Sequence, residues 1–322
     1  MDAAPGPRVS RPVAICDNRV MKVIVTGAGG LVGSHVSREL SSRGHTATPL
    51  TRPSSRTSPG SIVWDPHAGR LDPAALEGHD AVVHLAGESI SSGRWSAERK
   101  RRILESRVKG TTLLSETLAR VPNGPKVLVS ASAIGYYGDR GADRLDENAA
   151  PGHDFLAEVC QRWEAATRPA AEAGVRVVRL RFGIILSPDG GALPKLLTPF
   201  KLGAGGVIGN GRQYMSWIDI NDIVGLIVHA LSTPGLDGPV NAVAPSPVTN
   251  AVFTKVLGRV LSRPTFFPLP AFAARLLLGE MADALLLSSQ NVSPVRATAS
   301  GYAFRFNDLE SSLRHQLENP AR

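Results

Sequence analysis

Residues 21–33 read MKVIVTGAGGLVG, a short apolar run followed by a turn rich in glycine. The run at 23–25 predicts a buried β-strand, and the pattern after it predicts a helix at 31–43. In a turn that joins a strand to a helix, one glycine allows a sharp bend, a second lets the backbone approach a diphosphate, and a third permits close helix–strand packing. The three glycines with this spacing are Gly27, Gly30 and Gly33.

This strand–turn–helix unit predicts a dinucleotide site. The start of the helix would present the amides of Leu31, Val32 and Gly33, and the positive end of the helix dipole, to a diphosphate. The alternative is a glycine-rich turn that binds no ligand.

The alternation continues to residue 180, where short β-branched runs are separated by longer helical stretches. This rhythm is typical of βαβ units and predicts an α/β fold with a doubly wound parallel Rossmann sheet. The six predicted strands are 23–25, 45–50, 62–64, 81–85, 127–129 and 176–180. The main predicted helices of this part are 31–43, 96–119 and 155–173, with Ser96 as the N-cap of the second.

After residue 182 the sequence changes to loops rich in glycine and proline and to helices predicted at 220–231, 250–261 and 271–278. We expect three parts. They are a disordered tail at 1–20, a Rossmann domain at 21–182 with returning segments of the C-terminal half, and a smaller, partly helical substrate-binding lobe at 183–322. Ligands of open α/β sheets bind outside the carboxyl ends of the strands, so the lobe is expected to close over that edge.

The composition excludes several classes of protein. With 43% hydrophobic and 20% charged residues among 322, the chain is too apolar for intrinsic disorder, and no apolar run approaches the roughly 20 residues of a membrane span. Two cysteines cannot form a disulfide framework, which favours a cytoplasmic location. The eight histidines show no zinc-binding spacing, so we expect no metal.

The net charge of +8 and the basic run at 98–102 would allow an acidic partner. The run, ERKRR, contains its own acid and has few aromatic neighbours. We therefore interpret it as a solvated helix face rather than as a contact to polyphosphate or nucleic acid. Neither nucleic acid nor a membrane is an expected partner.

The choice of dinucleotide depends on the end of the second strand. A carboxylate there binds the ribose 2′-hydroxyl of NAD, whereas a cation accepts the 2′-phosphate of NADP. The strand ends at Thr51 and Arg52 with no carboxylate nearby, which predicts NADP(H) as the cofactor. The alternative is that Arg52 is a solvated loop residue. Asp65, after the third strand, is a candidate acceptor for the adenine amine, unless it caps its own loop.

Several segments resemble motifs of the extended short-chain dehydrogenase/reductases. These are His84-Leu85-Ala86-Gly87, Arg107-Val108-Lys109-Gly110-Thr111, Ser130-Ala131-Ser132, Tyr136-Tyr137-Gly138 and WIDIND at 217–222. Longer stretches, among them GRWSAERKRRILESRVKGT, SASAIGYYGDRG and DGGALPKLLTPFKLGAGG, are similar to the atypical epimerase-like branch, which is also called nucleoside-diphosphate-sugar-epimerase-like. The resemblance covers about residues 21–317.

The resemblance implies a Rossmann fold, bound NADP(H) and a small-molecule substrate. It also implies that the backbone of Leu85 and Ala86 passes beneath the cofactor. Arg107 stands where the family has asparagine, and its position suits a cofactor phosphate or ribose. A homodimer through the helices at 98–119 and 155–173 is a further expectation from the family.

The chain departs from the wider superfamily at its catalytic pair. Active members use Y-x-x-x-K, in which the lysine lowers the pKa of the tyrosine so that the phenol exchanges a proton as hydride moves. When Glu164 is aligned with the acidic residue that follows this pair, Leu156 and Cys160 occupy the two positions. Neither side chain can do this chemistry, and we expect Cys160 to be a small buried residue.

Three polar side chains are candidate replacements. Ser132 matches the family's serine that bonds a substrate oxygen, and Tyr136 and Tyr137 follow on the next turn, where either phenol could donate the proton. The alternatives are a serine that bonds local backbone and aromatic rings that only pack. A tyrosine without a nearby cation keeps a pKa near 10, and Arg107 is a candidate source of that charge.

Two functions are therefore compatible with the sequence. The first is an NADP(H)-binding oxidoreductase or epimerase-like enzyme with an unknown substrate. The second is a nucleotide-binding regulator or scaffold without catalysis, which the missing pair and the family members linked to division would permit. A proton donor at the nicotinamide distinguishes the two.

Overall fold

The computed structural model describes residues 20–53 and 60–318, so the predicted tail lies almost entirely outside the described residues. In chain order the strands are β1 (Lys22–Thr26), β2 (Thr46–Thr51), β3 (Ile62–Asp65), β4 (Arg70–Leu71), β5 (Ala81–His84), β6 (Val127–Ala133), β7 (Arg144–Leu145), β8 (Arg176–Phe182), β9 (Ile184–Leu186), β10 (Tyr214–Met215), β11 (Trp217–Asp219), β12 (Gly238–Ala242), β13 (Val248–Thr249) and β14 (Asn291–Val292). Eight of them form the central sheet, in the order β12-β8-β6-β5-β1-β2-β3-β4.

The α-helices flank this sheet and build the second half of the chain. They are α1 (Leu31–Ser42), α2 (Ala97–Leu118), α3 (Phe155–Ala165), α4 (Arg168–Glu172), α5 (Leu193–Lys201), α6 (Ile220–Ser232), α7 (Asn250–Leu261), α8 (Ala271–Leu278), α9 (Glu280–Ala282), α10 (Val295–Ala299) and α11 (Leu309–Glu318). None of the helices at 20–53 or 60–318 is long and apolar enough to cross a membrane.

The predicted doubly wound parallel sheet is confirmed, with more strands than the sequence indicated. All pairs of the central sheet are parallel except β3 with β4. All six predicted strands are present, and the sheet has two more: β4 at one edge and β12, a seventh parallel strand, beside β8 at the other. β12 was not predicted because it begins with Gly238 and Pro239, two residue types that are rare inside strands. Proline is tolerated here because β12 lies at the edge of the sheet.

The predicted helix at 155–173 was also wrong as a single element. The structure has two helices, α3 and α4, with a break at Ala166 and Thr167. Pro169 occupies the first turn of α4, where its missing amide costs nothing, whereas inside a continuous helix it would remove a hydrogen bond. By contrast, Ser96 is confirmed as the N-cap of α2, because its hydroxyl accepts a hydrogen bond from the amide of Arg99.

Apolar side chains on the two faces of the sheet form separate cores. Val23 and Val25 of β1 belong to the core under α1 and α6, whereas Ile24 between them belongs to the core under α2. This alternation with a period of two is what a strand covered on both faces requires. A third core, around the fully buried Trp217, joins α5, α7 and α11 of the C-terminal half.

Candidate functional site

The glycine turn lies against the loop that leaves β5. Gly27 has a φ of +67°, and a Cβ there would lie 3.1 Å from the amide nitrogen of Ala86 and from the carbonyl oxygen of Leu85. A Cβ on Gly33 would lie only 2.2 Å from Gly27 O. Close backbone contacts therefore require glycine at positions 27 and 33. The contact at Gly33 is with Gly27 and Ala28 of the turn itself, whereas the sequence predicted packing of the helix on the strand.

The start of α1 fits a bound diphosphate. Gly30 is the N-cap and supplies no side-chain acceptor, so no side chain caps the first turn of α1. A Cβ on Gly30 would also meet Gly27 O at 3.2 Å. The amides of the first turn of α1 therefore have no side-chain acceptor, and the glycines before them leave room for phosphate oxygens. These residues fit the predicted dinucleotide.

A chain of buried hydrogen bonds holds the loop after β5 in place beside the glycine turn. Thr26 Oγ1 accepts hydrogen bonds from the amides of Leu85 and Ala86, each at 3.0 Å. Its two acceptor positions are thereby used, so its own proton goes to His84 Nδ1, 2.8 Å away. The ring then carries its proton on Nε2 and donates it to Thr111 Oγ1 at 2.9 Å. Burial lowers the pKa of His84 to about 4, which keeps the ring neutral.

The predicted adenosine side lies at the ends of β2 and β3. Arg52 is exposed and forms no ion pair among the described residues. Thr51 Oγ1 donates to Ile62 O at 3.5 Å. Asp65 Oδ1 accepts the amides of His67 and Ala68 at 2.9 and 3.1 Å, and the bond from Ala68 is the main cause of its lowered pKa. Asp65 thus caps its own loop, and its contact with adenine stays a prediction.

Ser132, at the end of β6, donates its hydroxyl proton to Glu164 Oε1 at 2.7 Å. The same carboxylate forms a double ion pair with Arg181, from Nε at 2.8 Å and from Nη2 at 2.9 Å. All three side chains are buried. Burial alone would lower the pKa of Arg181, but the hydrogen bonds and charge of Glu164 raise it above its usual value, so the guanidinium is a fixed cation.

Tyr137 belongs to the same buried network. Its hydroxyl donates to Asn241 Oδ1 at 2.7 Å and accepts a hydrogen bond from Arg181 Nη1 at 2.9 Å. The side chain is 0% exposed, and burial raises its pKa to about 12, although Arg181 opposes the shift. This phenol is therefore protonated and engaged inside the protein.

Tyr136 differs from its neighbour. Its ring lies over the guanidinium of Arg181, with 3.5 Å between Cζ and the ring centroid, and it meets the Tyr137 ring edge to face. The side chain is only partly buried, and its hydroxyl has no hydrogen-bond partner in the described part of the chain. Of the three predicted catalytic residues, Tyr136 alone combines a free hydroxyl with an adjacent cation.

The two positions of the missing catalytic pair lie inside α3. A Cβ on Gly135 would lie 3.2 Å from the Cβ of Leu156 and 3.8 Å from the sulfur of Cys160. Cys160 is buried, as predicted, and burial together with the charge of Glu164 raises its pKa to about 12. The thiol is thus neutral, and the turn after β6 packs directly on this part of α3.

The second half of the chain meets the site at three points. The loop between β9 and α5 reaches α1, where a Cβ on Gly190 or Gly191 would touch the side chain of Leu31. Lys195 Nζ donates to the carbonyl oxygen of Ser91, and Arg94 donates to main-chain carbonyls near the end of α8. These contacts bring the C-terminal elements to the carboxyl edge of the sheet.

The basic run at the start of α2 divides between surface and interior. Arg101 pairs with Glu98 at the surface, as the solvated-face interpretation predicts. Arg99 departs from it, because this side chain is 8% exposed and pairs with Glu88 and the carbonyl of Ser89. Lys100 pairs with Glu280 of α9. Among the described residues no cluster of side chains has the composition of a metal site.

Two residues that hold the network together, Arg181 and Asn241, were not predicted from the sequence. Both are fully or almost fully buried polar residues on strands, at 3% and 0% exposure. The signal available for Arg181 was its place in the strand RVVRLRF, because both faces of a parallel sheet between helices are covered, and a charged side chain there is buried. Asn241 gave no such signal, because β12 was not recognised as a strand.

Comparisons with known families agree with this geometry. Residues 23–242 match the family described as "NAD dependent epimerase/dehydratase family". Residues 269–316 match a second family, described as "Domain of unknown function (DUF1731)". The first match runs from the second residue of β1 to the end of β12 and so includes almost all of the central sheet.

Individual relatives are similar over almost the whole chain. An epimerase family protein of Mycobacterium bovis is 41% identical over 298 residues, which cover 92% of this chain and 98% of the relative. The crystal structure of human epimerase family protein SDR39U1 (isoform2) with NADPH has a TM-score of 0.86 at 35% identity, covering 93% of this chain and 100% of that one. A nucleoside-diphosphate sugar epimerase from Corynebacterium glutamicum has a TM-score of 0.78 at 37% identity, covering 94% of this chain and 59% of that one.

Proposed function

The chain belongs to the NAD dependent epimerase/dehydratase family, and we propose that it is an NADP(H)-binding, epimerase-like oxidoreductase that acts on an unidentified small molecule. The observation that carries the proposal is the uncapped start of α1 behind the glycine turn, with Arg52 exposed at the end of the neighbouring strand β2. The first feature suits the diphosphate of a dinucleotide and the second suits a 2′-phosphate.

The preference for NADP(H) rests on Arg52 and on one relative. The human SDR39U1 crystal structure contains NADPH, and the similarity covers all of that chain and 93% of this one. In this chain Arg52 is exposed and has no carboxylate partner in the described residues, so its guanidinium is available for charge-assisted hydrogen bonds to phosphate.

The proposed chemistry uses the turn after β6. The bound cofactor supplies or accepts hydride, and the protein must then give or take one proton at the substrate oxygen. Tyr136 is the proposed proton donor, because its hydroxyl is free and Arg181 lies on its ring. Ser132 and Tyr137 hold Arg181 and Glu164 in place through the buried network. This assigns positioning roles to two of the three residues that the sequence nominated for catalysis.

The cofactor is tested by calorimetric titration with NADPH and NADH. We expect NADPH to bind more tightly, and Arg52→Ala to remove most of the difference, since hydrogen bonds to charged groups are worth about 1.5–3 kcal/mol, or roughly ten- to a hundredfold in affinity. Arg70→Ala, which removes another exposed arginine from the edge strand β4 of the same sheet, is the matched control and should leave both affinities unchanged. Equal affinities of the wild type for the two nucleotides would disprove the NADP assignment.

The chemistry is tested by a screen of carbonyl compounds and nucleotide sugars, followed by NADPH absorbance and by sugar isomerisation. With any substrate that turns over, Tyr136→Phe should lower turnover by about 10²–10⁴-fold while NADPH affinity stays nearly unchanged. Tyr137→Phe removes the buried phenol that accepts a hydrogen bond from Arg181, so it should lower turnover less than Tyr136→Phe does and should also reduce stability. A Tyr136→Phe protein as active as the wild type would refute the assignment.

One observation favours a second candidate, a nucleotide-binding regulator or scaffold without catalysis. Leu156 and the neutral thiol of Cys160 occupy the two positions of the missing catalytic pair. A protein that binds NADPH tightly but turns over nothing in the screen would support this candidate.

We also propose a cellular location and an oligomeric state for the protein. The scarcity of cysteine supports a cytoplasmic location. A homodimer through α2 and α3 is proposed from the family resemblance, and sedimentation equilibrium measures it directly. Nucleic acid and membranes are not proposed as partners, because the basic run of α2 is largely paired with carboxylates.

A further inference from the structure

A cleft of about 620 Å³ opens at the edge of the central sheet, between the break that separates α3 from α4 and the loop that leads into β12. The charged residues that line it are three arginines, Arg168, Arg176 and Arg179, and two carboxylates, Glu164 and Asp237. Strand β8 contributes residues from its first half, whereas a dinucleotide binds outside the carboxyl ends of the strands. The cleft is therefore separate from the proposed cofactor site.

Arg179 is the arginine of this cleft whose hydrogen-bonding groups are least satisfied. Val177 of the same strand belongs to the core under α2, so Arg179, two residues later, points to that side of the sheet. The side chain is partly buried, and its Nε is completely buried without a hydrogen-bond acceptor among the described residues. A buried donor without an acceptor costs free energy, and an anion in the cleft would supply the acceptor.

Arg176 adds a second guanidinium that forms no ion pair with a carboxylate in the described part of the chain. Its Nη1 donates to Ala230 O at 2.9 Å and to Leu236 O at 2.7 Å, and its Nη2 donates to Leu231 O at 2.9 Å. These acceptors are main-chain carbonyls, so they hold the guanidinium in place and leave its net charge uncancelled.

Both carboxylates of the cleft are engaged by arginines outside it. Glu164 forms the double ion pair with Arg181, and Asp237 Oδ1 accepts a hydrogen bond from Arg296 Nη2 at 3.1 Å. The cleft therefore carries a net positive charge from its own arginines, which is the condition for binding an anion.

Gly238, the first residue of β12, leaves space beside two guanidinium groups. A Cβ there would lie 3.6 Å from Arg179 Nη2 and 3.0 Å from Arg296 Nη1. The residue has a φ of +64°, a conformation that favours glycine. Two cations that face one gap repel each other, and a ligand with anionic oxygen atoms in that gap would reverse the sign of the interaction.

We propose that this cleft is a second ligand site, which binds the phosphate group of a small molecule through Arg179, supported by the charge of Arg176. Guanidinium groups bind phosphate oxygens through charge-assisted hydrogen bonds. The cleft is larger than a phosphate ion requires and has the size of a small-molecule site, which favours a phosphate monoester over the free ion. The inference goes beyond the proposed function, because it needs neither the dinucleotide nor Tyr136.

Equilibrium dialysis at constant ionic strength tests the site with radioactively labelled ribose 5-phosphate and, separately, labelled inorganic phosphate. Arg179→Gln should weaken the binding of ribose 5-phosphate by about tenfold or more. Arg38→Gln removes an exposed arginine of α1, on the other face of the sheet, and should stay within about twofold of the wild type because salt screens distant charges. Binding that depends on Arg179 should persist in saturating NADPH.

Thermal melts separate binding from folding. Without ligand, Arg179→Gln should melt at or above the Tm of the wild type, because the change removes a buried donor that has no acceptor. Ribose 5-phosphate should raise the Tm of the wild type and not that of the variant. Arg179→Lys keeps the charge and should bind the ester within about tenfold of the wild type.

Four results would overturn the proposal. They are a wild type that binds neither ligand, binding that is unchanged in Arg179→Gln, binding that is lost equally in Arg38→Gln, and binding that NADPH abolishes. The comparison of the two ligands identifies the source of the phosphate group. Tighter binding of ribose 5-phosphate supports a monoester, whereas tighter binding of inorganic phosphate would overturn that part of the proposal.

Discussion

Gly29 and Gly33 belong to the same turn, yet the space around them differs. A Cβ on Gly29 meets nothing within 4 Å, whereas a Cβ on Gly33 lies 2.2 Å from Gly27 O and 2.8 Å from Gly27 C. Backbone atoms cannot yield as a flexible side chain does, so Gly33→Ala must displace α1 from the turn.

We expect Gly33→Ala to lower NADPH affinity by about tenfold or more, because the amides of the first turn would move away from the phosphates. Gly29→Ala is the matched control and should bind NADPH as the wild type does, since its φ is not positive and its surroundings are open. Calorimetry measures both variants. A Gly33→Ala protein with wild-type affinity would show that the turn does not hold the diphosphate.

His84 gives the protein a pH dependence of stability whose sign follows from its environment. Burial lowers its pKa from 6.5 to about 4 in the folded state. Between these two values the unfolded chain binds a proton that the folded protein does not, so unfolding becomes easier as the pH falls. The full contribution is present above pH 6.5 and amounts to about 3 kcal/mol, which is lost progressively down to about pH 4.

Urea denaturation at pH 7, 5.5 and 4.5 tests this contribution. The neutral replacement His84→Gln should show a smaller decrease in the free energy of unfolding between pH 7 and 4.5 than the wild type. His153→Gln, at an exposed position, should keep the wild-type decrease. If His84→Gln lost as much stability on acidification as the wild type, the buried neutral state of the ring would be disproved.

At the scale of elements, the sequence predicted what depends on local pattern. Helices 250–261 and 271–278 have the predicted bounds, because their capping residues and apolar periodicity are local signals. The strand β12 and the division of 155–173 into two helices depend on tertiary contacts. Pro239 is acceptable only because β12 is an edge strand, and the sequence does not show which strand lies at the edge.

The candidate site shows the same division. The glycine turn and Arg52 were predictable because both lie within one strand–turn–helix–strand unit. The network of Ser132, Glu164 and Arg181 was not, since the hydroxyl and the guanidinium reach the carboxylate across 32 and 17 residues of sequence, respectively. The contact is visible only in the folded structure, where Arg181, and not Arg107, lies on the ring of Tyr136.

At the scale of the whole molecule, the C-terminal segment, residues 300–318, is held against α6 by hydrogen bonds to two buried carboxylates. They belong to Asp222 in α6 and to Asp219, the N-cap of α6. Asp222 accepts the amides of Arg305 and Phe306 at 2.8 and 3.0 Å and the hydroxyl of Tyr302 at 3.1 Å. Asp219 accepts from the hydroxyl of Ser312 and the side-chain amide of Gln316. Because α6 also covers the core over β1, residues 300–318 and the sheet are expected to unfold together.

Asp222→Ala tests this coupling. The variant leaves the amides of Arg305 and Phe306 without their acceptor, whereas the Tyr302 hydroxyl keeps the main-chain carbonyl oxygen of residue 222, which lies 2.9 Å away. The free energy of unfolding should therefore decrease by about 2–5 kcal/mol. Asp237→Ala removes a carboxylate that is 71% exposed and paired with Arg296 at the surface, and it should cost less than about 1 kcal/mol. Urea unfolding followed by circular dichroism and tryptophan fluorescence should give one coincident transition for each protein. If Asp222→Ala instead produced an early transition of the C-terminal segment and left the main one unchanged, that segment would be an independent unit and not a part of the same core.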